Sequence, residues 1–102
     1  MEIFNPEQIP AFPFTARHKN VFFQTSEFKM RIIELDKGEE IPDCKMDSYV
    51  IFSVIFGKVE ILTESKKSIL TKGLMMVSGP ATFAMKAITK SRVTGIQITK
   101  MH

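Results

Sequence analysis

The strongest constraint on this chain is a period of two. In Glu27-Phe28-Lys29-Met30-Arg31-Ile32, polar and apolar residues alternate without a break. That is the pattern of a half-buried strand, and it predicts that Phe28, Met30 and Ile32 face inward. From Tyr49 to Phe56 the chain is apolar on both parities: Val50, Phe52, Val54 and Phe56 on one, Tyr49, Ile51, Ser53 and Ile55 on the other. The segment is too short for a typical helix and is bounded by Gly57, so it reads as a strand buried on both sides. Lys58–Leu62 and Lys67–Leu70 flank the polar turn Thr63-Glu64-Ser65-Lys66 and read as a hairpin. Strands over Leu74–Val77, Thr82–Ile88 and Val93–Thr99 complete the set, separated by Gly79-Pro80 and Thr89-Lys90-Ser91. About eight or nine short antiparallel strands with no amphipathic helix predict an all-β fold, a small barrel or jelly roll.

A length of 102 residues fits one domain, and no internal repeat divides it. Residues 1–14 are set apart by Pro6, Pro10 and Pro13, which fix backbone angles and remove donors, so an extended arm is expected there. Phe4, Phe12 and Phe14 imply that the arm lies on the body or on a partner, since disordered segments carry few aromatics. The net charge of +3 comes from scattered Lys and Arg, which indicates solubility and excludes a nucleic-acid footprint. The single cysteine, Cys44, excludes an internal disulfide. No basic, apolar leader opens the chain and no run approaches the ~20 apolar residues that span a bilayer, so a cytoplasmic protein without membrane contact is expected.

The segment GEEIPDCKMDSYVIFSVIFG, from Gly38 to Gly57, resembles the first motif of the cupin family, usually written G-x5-H-x-H-x3–4-E-x6-G. Cys44 and Met46 stand at its histidine places and Val50 at its glutamate place. The second cupin motif, usually G-x5-P-x-G-x2-H-x3-N, is matched by GLMMVSGPATFAMKAIT from Gly73 to Thr89. Strict counting from Gly73 puts Ala84 at the histidine place; counting from Pro80 puts Met85 there. Lys86 should point to water, so the second register, with Met85 inward, is preferred. The resemblance implies a small cupin-type jelly-roll barrel over roughly residues 20–99. It also implies ligand places occupied by Cys44, Met46, Val50 and Met85. Thioethers and a valine cannot replace the imidazoles and carboxylate that hold iron, manganese, zinc or nickel in such barrels. No metal and no other cofactor is therefore expected.

The soft set Cys44, Met46 and Met85 suits Cu(I). Methionine filling an irregular interior, and a small buried cysteine, account for the same residues without metal. His18 lies in what reads as a solvated turn, Ala16–Asn20, and His102 ends the chain; neither stands at a ligand place. Glu40, Asp43 and Asp47 read as a solvated charged loop, and Tyr49 as an outward interface residue. No paired carboxylates, Ser-His-Asp order or phosphate loop is present.

Two functions remain. The first is a non-catalytic binding or assembly domain whose interior is filled or holds a small apolar ligand lined by Phe28, Met30, Cys44, Met46, Val50, Phe52, Phe83 and Met85. The second is an enzyme with a non-standard site that uses Cys44 or a soft metal. A homodimer is expected, burying Tyr49, Ile51, Phe12 and Phe14.

Overall fold

The computed structural model describes residues 1–64 and 66–99. Nine strands are present: β1 (Val21–Gln24), β2 (Phe28–Leu35), β3 (Glu40–Met46), β4 (Val50–Phe56), β5 (Lys58–Leu62), β6 (Lys67–Thr71), β7 (Met75–Ser78), β8 (Ala81–Ala87) and β9 (Ser91–Ile98). They form a sheet of order β1-β2-β9-β4-β7 and a second of order β3-β8-β5-β6, every pairing antiparallel. The architecture is an all-β jelly roll. His102 lies outside the described residues.

The registers fix which side chains meet between the sheets. Val50, Phe52 and Val54 of β4 stand beside Gln97, Gly95 and Val93 of β9, which in turn stand beside Lys29, Arg31 and Ile33 of β2. In the other sheet Ile41, Cys44 and Met46 of β3 align with Met85, Phe83 and Ala81 of β8. A bulge between Ile41 and Cys44 keeps both on the inner face. Leu35, Val50, Val54, Val59, Ile61, Leu70, Phe83, Met85, Ala87 and Val93 form the buried core.

The two turns that bound the segment from Gly38 to Gly57 need glycine. Gly38 (φ 85°) and Gly57 (φ 89°) occupy the left-handed region that side chains with a Cβ avoid. Gly57 joins β4 to β5 where Ser91 is almost fully buried. The Ser91 hydroxyl accepts from Lys58 N at 2.9 Å and lies 2.8 Å from Thr89 O, tying the turn to the start of β9.

Three local expectations are corrected. Glu40 and Asp43 lie on β3 rather than in a charged loop; their side chains are exposed because β3 is an edge strand. Residues Phe14–Asn20 form a 3₁₀ segment rather than a plain solvated turn. Within it Asn20 is buried: it accepts from Phe12 N at 2.7 Å and donates to Phe12 O at 2.9 Å. The third correction concerns β2. Phe28, Met30 and Ile32 turn away from the other sheet, and Arg31, Ile33 and Leu35 turn toward it. The arm explains the reversal. Phe23 stacks on Phe28 at 5.9 Å, and Phe4 meets Phe22 and Phe23 edge-on at 5.0 and 5.8 Å. Arg92 donates to Pro6 O and Ile9 O at 2.6 and 2.8 Å, fastening the arm to the outer face. With both faces covered, Ile32 is wholly buried although it points outward.

Candidate functional site

Between the sheets lies a cavity of about 120 Å³. Sheet β1-β2-β9-β4-β7 contributes Arg31, Ile33, Val50, Phe52 and Gln97 to its wall; the facing sheet contributes Ile41, Cys44, Met46, Ile61, Phe83 and Met85. Phe12, Phe14, Arg17 and Asn20 border it from the arm. Phe52 and Phe83 approach across the gap edge to face, with centroids 6.2 Å apart and planes at 89°. Phe83 and Met85 are buried and Lys86 is exposed, as the alternation in β8 requires. Cys44 borders the cavity yet is solvent-exposed, which places it at the mouth. Its thiol lies 3.8 Å from Met46 Sδ.

Six residues expected at the ligand site, Cys44, Met46, Val50, Phe52, Phe83 and Met85, come together on this wall; Phe28 and Met30 do not. The missed residues are polar. Arg31 Nη2 donates to Gln97 Oε1 at 3.4 Å inside a wall that is otherwise mostly apolar. Burial holds the Arg31 guanidinium below its ordinary range; Cys44 opposes this and Arg17 adds to it. One sequence signal pointed to Arg31. Gly95 stands inside the alternating strand Ser91–Ile98, and a glycine inside a strand marks a close approach from a neighbour. A Cβ on Gly95 would sit 3.2 Å from Phe52 Cε1 and 3.4 Å from Arg31 Cγ.

The four places that the cupin resemblance assigns to metal ligands all border this one cavity. Their chemistry does not fit the family's usual ions, because Val50 offers no donor atom and Met46 and Met85 offer only soft thioethers. Among the described residues no three His, Cys, Asp or Glu side chains converge as a metal site. His18 is exposed and stands apart from the cavity.

A shallow groove crosses the outer face of the second sheet, bordered by Glu40, Pro42, Asp43, Glu60, Leu62 and Lys86. Its Glu40 pairs with Lys86 at 3.8 Å, and Glu60 with Lys67 at 3.7 Å. The exposed Glu40–Lys86 pair contributes little stability. Among the described residues no helix is long and apolar enough to cross a membrane.

No family model matches the sequence, and no curated protein does. Solved structures do. An RmlC-like cupin protein from Desulfovibrio desulfuricans superposes with a TM-score of 0.79 at 16% identity, over 96% of each chain. A cupin superfamily protein from Desulfitobacterium hafniense gives 0.74 at 11% identity, covering 78% of this chain and 74% of the other. An RmlC-like cupin from Shewanella frigidimarina gives 0.70 at 16% identity, covering 78% and 72%. The strand order, the two glycine turns and these superpositions agree: the fold of this chain is that of a small cupin jelly roll.

Proposed function

We propose that the protein is a non-catalytic, metal-independent binding domain whose barrel interior takes one small ligand. The observation that carries this reading is the replacement of donor atoms by apolar and soft side chains around a real cavity. Val50, Phe52, Phe83 and Met85 give a ligand surface to pack against and no group to activate it. Chelator-treated protein should therefore bind a benzene-sized probe such as benzyl alcohol, with unchanged affinity when zinc, iron or manganese is added back. Calorimetry checks this. Binding that needs stoichiometric metal would contradict it.

The spacing of 3.8 Å between the Cys44 and Met46 sulfurs favours one alternative, a soft Cu(I) site and an enzyme built on it. Elemental analysis of untagged protein separates the two, since about one copper per chain would support the alternative.

We also propose a homodimer, formed at the free edge of β7. Among the described residues that strand pairs only with β4. Met75, Val77 and Tyr49 are 64%, 63% and 58% exposed around it. An unpaired strand edge flanked by apolar side chains suits a second copy of the same strand. Phe12 and Phe14 border the cavity, and Phe12 is also 38% exposed. Val77→Lys is expected to weaken self-association at least about tenfold by burying an unpaired charge. Sedimentation equilibrium reads this directly; a wild-type monomer at micromolar concentration would contradict the dimer.

A further inference from the structure

Strand β2 sends a cation into a chamber walled mainly by apolar side chains. Arg31 stands beside Gly95, whose missing side chain lets the arginine stem and the Phe52 ring meet above β9. Gln97 Oε1, at 3.4 Å, is the hydrogen-bond partner of the guanidinium among the described residues, and none of the ion pairs there includes Arg31. Most of its donors are thus left without a protein acceptor. Glu34 is the acidic residue on the cavity border, and its carboxylate is turned to Arg92 at 3.3 Å. Arg17 stands at the mouth, its guanidinium 4.4 Å from the Phe14 ring centroid, and adds positive charge rather than cancelling it. Arg31 is half-buried, and its free donors face space that water or a ligand can occupy, so a bound anion would meet them without displacing a protein partner.

We propose that the ligand of this barrel is a small monocarboxylate, with its carboxylate on Arg31 and its apolar body between Phe52, Phe83 and Met85. This rests on the binding-domain reading above and names the chemistry of its ligand. A planar guanidinium takes a carboxylate through two parallel N–H···O bonds, which fixes orientation as well as affinity. Gln97 holds one edge of the fork and leaves the rest for the ligand. The cavity of about 120 Å³ sets the size. A cavity of roughly 150 Å³ admits benzene, so this smaller one encloses at most one ring, and the carboxylate of an acid such as benzoate would lie outside the apolar chamber, toward its open mouth. The wall opposite Arg31 carries Ile61, Phe83 and Met85, which offers nothing to a second charge on the ligand.

The test titrates benzoate and its neutral counterpart benzyl alcohol into wild type, Arg31→Met and Arg31→Lys, by calorimetry at fixed ionic strength. Wild type should bind benzoate at least about tenfold more tightly than benzyl alcohol. Arg31→Met should lose that preference while still binding benzyl alcohol. Arg31→Lys keeps the charge without the fork and should lose at least about threefold of the preference; it serves alone should Arg31→Met fail to fold. Equal binding of the two probes by wild type, or a preference unchanged in either variant, would overturn the carboxylate assignment and leave the binding domain intact. If neither probe binds wild type, the binding-domain reading itself fails, and the assignment falls with it.

Discussion

Gly57→Ala is expected to remove about 3–5 kcal/mol of folding stability, the sum of backbone strain and overpacking at a closed site. A new Cβ at this position would overlap Lys90 O and Ser91 Oγ and lie 2.6 Å from Ser91 Cα. None of these is the far end of a flexible side chain. Ser91 is pinned by its hydrogen bonds to Lys58 and Thr89, so the neighbour cannot step aside. Gly38 is the internal control: its φ of 85° is almost the same, but nothing lies within 4 Å of an added Cβ. Gly38→Ala should therefore cost only the backbone term, about 1–2 kcal/mol. Urea unfolding of both variants separates strain from overlap. Equal losses would show that the Gly57 turn relaxes freely. Domains of this size hold about 5–15 kcal/mol in all, so the Gly57 variant should be close to the folding threshold.

Arg92→Ala is the second large effect. The Arg92 side chain is only 8% exposed, and it binds Glu34 at 3.3 Å as well as the two arm carbonyls. Removing it leaves a carboxylate and two carbonyls without their partner. Breaking a buried pair costs roughly 3–5 kcal/mol, and the 32% exposure of Glu34 moves the expected loss toward the lower end, about 3 kcal/mol. The arm should also loosen, because these bonds tie Pro6 and Ile9 to the outer face. A lower urea midpoint together with faster proteolysis before Pro13 is the expected signature. An unchanged midpoint would mean that the arm contributes nothing to the fold.

Much of the fold was legible because its signals are local. The two-sided run ending at Phe56, the hairpin after it and the glycine turns each depend on residues adjacent in sequence. Strand β3 was harder to see: its bulge between Ile41 and Cys44 breaks the alternation that marks a strand. The error at β2 is more instructive. A period of two shows that a strand has two different faces, but it does not say which one meets the core. The rule that charged residues face water chose Phe28 and Met30 for the interior. It failed because Phe23 of β1 and Phe4 of the distant arm cover that face, while Arg31 enters the cavity. Cys44, Met46, Val50 and Met85 were found together because the glycine frame of the motif, rather than ligand chemistry, places them. Arg31 and Gln97 were missed because their pairing links strands far apart in the chain.

The most direct test of a barrel built to bind is to locate a bound probe. Protein labelled at the methionine methyls, treated with chelator and saturated with benzyl alcohol, should show nuclear Overhauser contacts from the ring protons to Met46 and Met85. Met46 borders the cavity and not the outer groove, whereas Met85 borders both, so the Met46 contact decides. A contact to Met85 without one to Met46, which is what binding in the outer groove would give, or contacts that arise only after metal is restored, would contradict a metal-independent binding site inside the barrel.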